Sequence, residues 1–287
     1  MSINNKSSGE RLETFIYNDN TLEHLHRYAF ASTFVTDKYV LDIASGEGYG
    51  TNLLSKTAKK VYGVDIDDIV INNSKKKYQA RNIEFKSGSC ECIPLEDSII
   101  DVVVSFETIE HHDKHHEMLL EIKRVLKPGG LLIMSTPEKK IYTESESYIN
   151  HYHIKELYLL ELKKLINSYF KNSHYLFQNI FRGSLIIPSS NFSTLDIIEG
   201  DFDSINSIKE FNFTYNIVIA SDVKIDKDLN GSGFKSLIVN AKEKLQIEDE
   251  IKKSISYRIG HLILLPFKLI KNIYILISIK IFGNSYK

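Results

Sequence analysis

Two stretches of this sequence have residue types and spacing suited to chemistry. The first is Asp42-Ile43-Ala44-Ser45-Gly46-Glu47-Gly48-Tyr49-Gly50, followed by Asp65 at the end of Gly63-Val64-Asp65. Small residues let a chain turn sharply and let a ligand touch the main chain where a Cβ would collide. An acid closing the next strand can take the two hydroxyls of a ribose. The second stretch is Phe106-Glu107-Thr108-Ile109-Glu110-His111. A histidine titrates near neutrality and can serve as a general base. Glu107 can orient His111 if the segment makes a helical turn.

The run His111, His112, Asp113, His115 and His116 also suggests a metal. Consecutive histidines at a helix start point in different directions, and the paired spacing with a fixed third ligand of H-E-x-x-H is missing. No metal is expected from that run. The glycines at 46, 48 and 50 read G-x-G-x-G rather than the G-x-G-x-x-G of a nicotinamide site. Glu47 puts a negative charge inside the turn, which a pyrophosphate would resist and a cationic cofactor would not.

Alternating elements must hold these residues. Residues 21–35 are spaced as a helix. Strands are expected over 39–44, 60–64, 83–86, 101–106 and 131–136, with helices over 51–57, 67–78 and 114–126 and a stop at Pro128-Gly129-Gly130. Such alternation, with continuous apolar strands such as Asp101–Phe106, argues an α/β domain with a mainly parallel sheet. Further on, 153–170 reads as an amphipathic helix, 173–178 and 211–220 as strands, and 180–210 as a polar loop-rich insertion. Ligands of open α/β sheets bind at the carboxyl ends of the strands, where Asp42 is delivered.

At these residues the sequence resembles class I S-adenosylmethionine (SAM)-dependent methyltransferases. Gly88-Ser89-Cys90-Glu91-Cys92-Ile93-Pro94-Leu95 resembles that family's adenine loop, with Ser89 where an Asp is common. Asp101–His111 and Leu126-Lys127-Pro128-Gly129-Gly130 match its fourth-strand and post-helix motifs, so the likeness spans about residues 25–137. Gly9-Glu10-Arg11, His24–Ala31 and Asn150–Leu157 are similar to bacterial surface-polysaccharide (O-antigen or capsule-type) methyltransferases.

The resemblance implies a Rossmann-like, seven-stranded, mostly parallel sheet with helices on both faces. It also implies SAM as cofactor, with S-adenosyl-L-homocysteine as product. The cofactor set it implies is Tyr28, Asp42, Ala44, Ser45, Gly46, Gly48, Asp65, Ile66, Ser89, Cys90, Glu91 and Phe106. Arg11, His151 and His153 would face the acceptor; Arg11 or Arg27 would lie near it or near the cofactor's carboxylate, unless Arg27 is an ordinary surface cation. His111, with Glu107, would take the acceptor's proton.

Composition narrows the rest. The chain has 287 residues, 43% apolar and 25% charged, which excludes a disordered tail, a fibre and a disulfide scaffold. The net charge of −1 hides a split. Residues 251–287 hold seven bases and no acid, leaving 29 bases against 37 acids in the remainder. A nucleic-acid binder is not expected from that pattern.

Residues 242–287 read as a charged helix over 242–253 leading into a basic, Ile-rich tail. Lys268, Lys271 and Lys280 interrupt the tail too often for a membrane span, and 255–282 suits an anionic membrane surface. Cys90 and Cys92 are read as buried and reduced, and the polar start has no signal-peptide core, so a cytoplasmic location is expected, at the inner face of the plasma membrane where the tail docks.

The expected organisation is therefore a substrate-side helix over 1–35, a SAM-binding domain over 36–222, and the tail. The expected reaction is O-methylation of a sugar hydroxyl or sugar phosphate, free or lipid-linked. A homodimer fits, as does packing of the tail on the domain or on a second subunit. The alternatives are a small or lipid-like acceptor of the quinone-precursor type, and a catalytically silent SAM-fold tether.

Overall fold

The computed structural model describes residues 11–12, 14–15, 17–145, 150–180, 198–200, 205–207, 213–227, 229 and 231–234. Its elements are α1 (Asp19–Ser32), β1 (Tyr39–Ile43), α2 (Tyr49–Leu54), β2 (Lys60–Asp65), α3 (Asp68–Lys77), β3 (Ile83–Ser87) and β4 (Ile100–Phe106). There follow α4 (His115–Val125), β5 (Leu126–Pro137), α5 (Leu159–Asn167), β6 (Asn172–Gln178), the short strands β7 (Ile198–Gly200) and β8 (Ile205–Ser207), and β9 (Tyr215–Ser221).

The main sheet has seven strands in the order β3-β2-β1-β4-β5-β9-β6. The first five run parallel, and β9 is antiparallel to both neighbours. From β1 the chain winds one way to β3, then crosses back to β4, so a crevice opens beyond the carboxyl ends of β1 and β4.

Successive strand residues point to opposite faces, and two cores result. Leu41, Val103, Leu132 and Met134 pack with Met118, Leu119 and Ile122 of α4 and Leu162 and Ile166 of α5. Val40, Val102, Val104 and Ile133 pack with Tyr28 and Ala31 of α1 and Leu54 of α2 on the other face. The expected Rossmann-like sheet with helices on both faces is what forms.

Two expected elements differ. The helix read over 153–170 is only Leu159–Asn167. Upstream, Ile154 and Lys155 donate their backbone N–H to the Glu110 carbonyl at 2.8 and 3.0 Å, which takes those donors away from a helix. The fifth strand does not wait for residue 131. It starts at Leu126 directly after α4, and Lys127–Gly130 bulge out of register between the partners of Ile100 and Val102.

The chain divides into units 1–234 and 235–287. The helix expected over 242–253 and the tail over 255–282 lie outside the described residues, as does most of the 180–210 insertion. Among the described residues no helix is long and apolar enough to cross a membrane.

Gly50 has a packing reason to be glycine. A Cβ there would lie 1.9 Å from the Tyr28 ring. Gly50→Ala should therefore destabilise by about 1–3 kcal/mol, as overpacking does. A lower urea midpoint at unchanged slope is the readout. Gly231→Ala, where a Cβ meets nothing within 4 Å, should leave the midpoint in place.

Candidate active site

The turn after β1 takes the left-handed backbone three times in five residues: Ala44 (φ 57°), Gly46 (φ 51°) and Gly48 (φ 76°). Ser45 donates its N–H to the Val64 carbonyl at 2.9 Å, and Gly46 donates to Asp65 Oδ2 at 2.9 Å. Asp65 also accepts from the Asp67 N–H at 3.0 Å, so one carboxylate shapes both turns that leave β1 and β2.

A Cβ on Gly46 would meet nothing within 4 Å, whereas one on Gly48 would strike the Phe85 ring at 2.7 Å. Gly46 faces open space; Gly48 is held by packing and is not a lining residue. Asp42 departs from expectation as well. It is fully buried beneath the floor, where it accepts from Tyr28 Oη (3.0 Å) and Thr51 Oγ1 (2.6 Å). Burial pushes its carboxyl up to about 7. Glu47 also turns out of the crevice, to Thr14 (2.8 Å) and Lys77 (3.2 Å), so its charge does not select the ligand.

Two cavities adjoin over this turn, of about 250 and 270 Å³. The first is lined by Asp65, Ile66, Ser89, Cys90, Glu91 and Thr108, among others. The second is lined by Tyr28, Ser45, Phe106, Glu110, Tyr142 and His153, with further polar groups. Arg11, Ala44, Gly46, Glu107 and His111 line both. Most of the expected cofactor residues are thus brought together. His151 is exposed and lines neither cavity. Cys92 is exposed rather than buried, while Cys90, half-buried, lies 3.3 Å from His112 Nε2 and is pushed up to about 11 by burial.

Arg11, which lines both cavities, stands 3.0 Å from Asp67 and 3.6 Å from Asp65. Arg27 is not a surface cation; its side chain is fully buried. Its Nε donates to Gln178 Oε1 at 2.6 Å and its Nη1 pairs with Glu107 at 3.1 Å. The guanidinium lies 4.2 Å over the Tyr215 ring. Glu107, left-handed at φ 49°, also accepts from Ser135 Oγ at 2.6 Å. The expected Glu107–His111 pair is therefore replaced: Glu107 is held by Arg27 and Ser135, and His111 Nδ1 donates to the Tyr152 carbonyl at 3.0 Å.

Glu110 escaped the sequence reading, as did its backbone link to the 150–158 segment, which was singled out only through its resemblance. Glu110 is buried, and burial, with Glu107 nearby, holds it well above the usual carboxylate range. Its Oε2 accepts from Thr136 Oγ1 at 3.1 Å. The one available signal was its spacing of three from Glu107, which puts both on one side of a helical turn. His153 donates through Nδ1 to Glu156 Oε1 at 2.5 Å and stacks on Tyr142.

Fold and crevice together are of the Rossmann-like α/β type, with the crevice at the carboxyl ends of β1 and β4. Residues 41–134 match the family described as "Methyltransferase domain". A "Probable S-adenosylmethionine-dependent methyltransferase" of Mycolicibacterium smegmatis is 33% identical over 130 residues, 45% of this chain and 50% of that protein. A phthiotriol/phenolphthiotriol dimycocerosates methyltransferase of Mycobacterium ulcerans is 28% identical over 159 residues, 53% of this chain and 58% of that one. A SAM-dependent methyltransferase structure from Archaeoglobus fulgidus superposes with a TM-score of 0.51 at 19% identity, covering 71% of this chain and 93% of that one. The chain spans about half the length of the first curated relatives it matches. The residues present fit SAM: the face at Gly46 is open, the buried Ser45 hydroxyl has no hydrogen-bond partner among the described residues, and Asp65 closes β2 at the cavity edge.

Asp42 makes stability depend on pH with a definite sign. Between the ordinary carboxylate value and about 7 the folded protein keeps a proton there that the unfolded chain has lost. Its contribution therefore falls as pH rises through that window. Asp42→Asn removes the titration. The stability of the variant relative to the parent, measured by urea unfolding, should rise between about pH 4 and pH 7. A constant difference would sink this account.

Proposed function

We propose that this protein is a SAM-dependent methyltransferase acting on a hydroxyl of a polar acceptor, a sugar or sugar phosphate of a surface glycan. The observation that carries the reading is the meeting of the two cavities at Gly46, Glu107 and His111. One suits a nucleoside, and the other is walled by polar side chains.

SAM supplies a methyl group already activated on a sulfonium, so the residues have mainly to align the reactants. Asp65 takes the ribose hydroxyls, Ser89 to Glu91 the adenine side, and Ala44, Ser45 and Gly46 the methionine side. Tyr28 and Phe106 meet edge to face at 5.1 Å and close the floor. His111, oriented by the Tyr152 carbonyl, presents Nε2 as the group placed to deal with the acceptor's proton.

A polyol suits the second wall better than an alkyl chain, because Glu110, Asn150 and His153 offer hydrogen bonds. A lipid-like or quinone-precursor acceptor is the second reading, favoured by the name of the Mycobacterium ulcerans relative. A silent SAM-fold tether is the third.

Isothermal titration with SAM tests the reading: wild type binds, and Gly46→Ala, whose methyl enters the open face, binds at least tenfold more weakly. Absence of binding by wild type removes both enzyme readings. On a nucleotide-sugar acceptor, His111→Ala should lower kcat by about 10²–10⁴-fold with SAM affinity kept. Near-normal turnover would remove His111 from the chemistry.

We also propose that residues 255–282 contact anionic lipid at the cytoplasmic face. Lys268→Gln with Lys271→Gln in the full chain should reduce sedimentation with phosphatidylserine vesicles and leave SAM binding alone. Unchanged sedimentation would count against the tail.

A further inference from the structure

Glu110, His111 and His153 each offer a ligand atom, and these atoms lie within 4.8 Å of one another. This trio is separate from the histidine run that begins at His111: it draws one member from that run, one from the residue before it, and one from 42 positions further on. We infer that Glu110, His111 and His153 form a binding site for a divalent first-row transition ion, with its open coordination positions toward the acceptor cavity.

Four observations support this, and the first is the donor set. Two imidazoles and one carboxylate are the ligands such ions take, commonly with remaining positions left open. Second, both imidazoles are held as metal-ligating histidines are. His111 Nδ1 donates to the Tyr152 carbonyl (3.0 Å) and His153 Nδ1 to the Glu156 carboxylate (2.5 Å). A carbonyl or carboxylate on one ring nitrogen fixes the tautomer and leaves Nε2 as the basic nitrogen.

Third, Glu110 Oε1 is buried with no hydrogen-bond partner among the described residues, although Oε2 has Thr136. A buried oxygen left unpaired is costly, and an ion would satisfy it.

Fourth, the two halves are fastened together. Glu110 accepts through its carbonyl from Ile154 and Lys155, and the His111 and His153 rings meet edge to face at 5.1 Å. Metal–ligand bonds of about 2.0–2.2 Å put ligand atoms within about 4.4 Å of one another, close to the 4.8 Å that bounds the trio. The Asn150 amide, 2.9 Å from His153 Nε2, gives way to the ion.

The inference deepens the methyl-transfer reading and rests on it only for the role of the ion. A cation there acidifies a hydroxyl that binds it, so His111 acts as ligand when the ion is present, and acceptors with two adjacent oxygens are favoured.

Full-length protein, stripped with chelator and titrated with Co²⁺, tests the site by the visible absorption of the bound ion. One equivalent should bind. Glu110→Gln and His153→Ala should each weaken binding by at least 100-fold, and Glu156→Gln, which meets the outer nitrogen of His153 and otherwise accepts from Thr143, by about 10–100-fold. His116→Ala, an exposed histidine on Tyr169, should bind as wild type does. Thermal unfolding of each variant confirms that it is folded.

No Co²⁺ band in wild type, or a band that survives both Glu110→Gln and His153→Ala, overturns the site. So does a band that His116→Ala abolishes. SAM titration of the same stripped protein separates the two readings: Co²⁺ binding without SAM binding keeps the metal site and removes the methyltransferase.

Discussion

A guanidinium buried without exposure has to be paired, and Arg27 sets the geometry of the crevice around that requirement. Removing one partner of such a pair costs about 3–5 kcal/mol, because the other charge is left uncompensated. From α1 its side chain reaches Glu107 at the exit of β4, Gln178 at the end of β6, and the Tyr215 ring at the start of β9. Gln178 in turn donates to the Glu23 carbonyl at 3.0 Å, which ties β6 back to α1. Burial pushes Glu23 up to about 7 even against the pull of Arg27. The left-handed Glu107 backbone, a conformation that costs a non-glycine residue about 1–3 kcal/mol, is held by these contacts and by Ser135.

The same helix serves the floor. Tyr28, one residue on, reaches Asp42 below the turn, and Thr51 at the start of α2 reaches the other carboxylate oxygen. Adjacent residues of α1 therefore hold β1 and β4 at their carboxyl ends, where the sheet reverses its winding. The open crevice follows from topology, but its two walls are held at this separation by α1. This also explains why α1 carries so many polar groups on its buried side.

The sheet was legible in the sequence because parallel strands covered on both faces read as short unbroken apolar runs. The glycine turn was legible as a turn, but the three glycines were not separable. Gly46 opens to the cavity, Gly48 yields to Phe85 and Gly50 to Tyr28. Those distinctions depend on rings brought in from β3 and α1. Arg27 has the same history. Its spacing on a helix suits a surface position, and only its partners on β4, β6 and β9 make burial tolerable. The Glu107–His111 pair failed for a local reason, since Glu107 leaves the strand left-handed and a regular helical turn does not follow.

The helix expected over 153–170 failed for a reason that bears on function. Periodicity counts apolar residues along one segment and is blind to a carbonyl elsewhere that takes the segment's donors. Glu110 does so, and residues 150–158 are thereby laid across the short turn that carries Glu110 and His111. The wall of the second cavity is thus a composite of two distant segments, while the floor of the first is built from β1, β2 and the loop after β3. The family match over 41–134 covers that floor and the first half of the wall, and it stops before Asn150 and His153. Shared sequence therefore covers the turn after β1 and the end of β2, and the part of the crevice that distinguishes this chain lies beyond it, at Asn150 and His153.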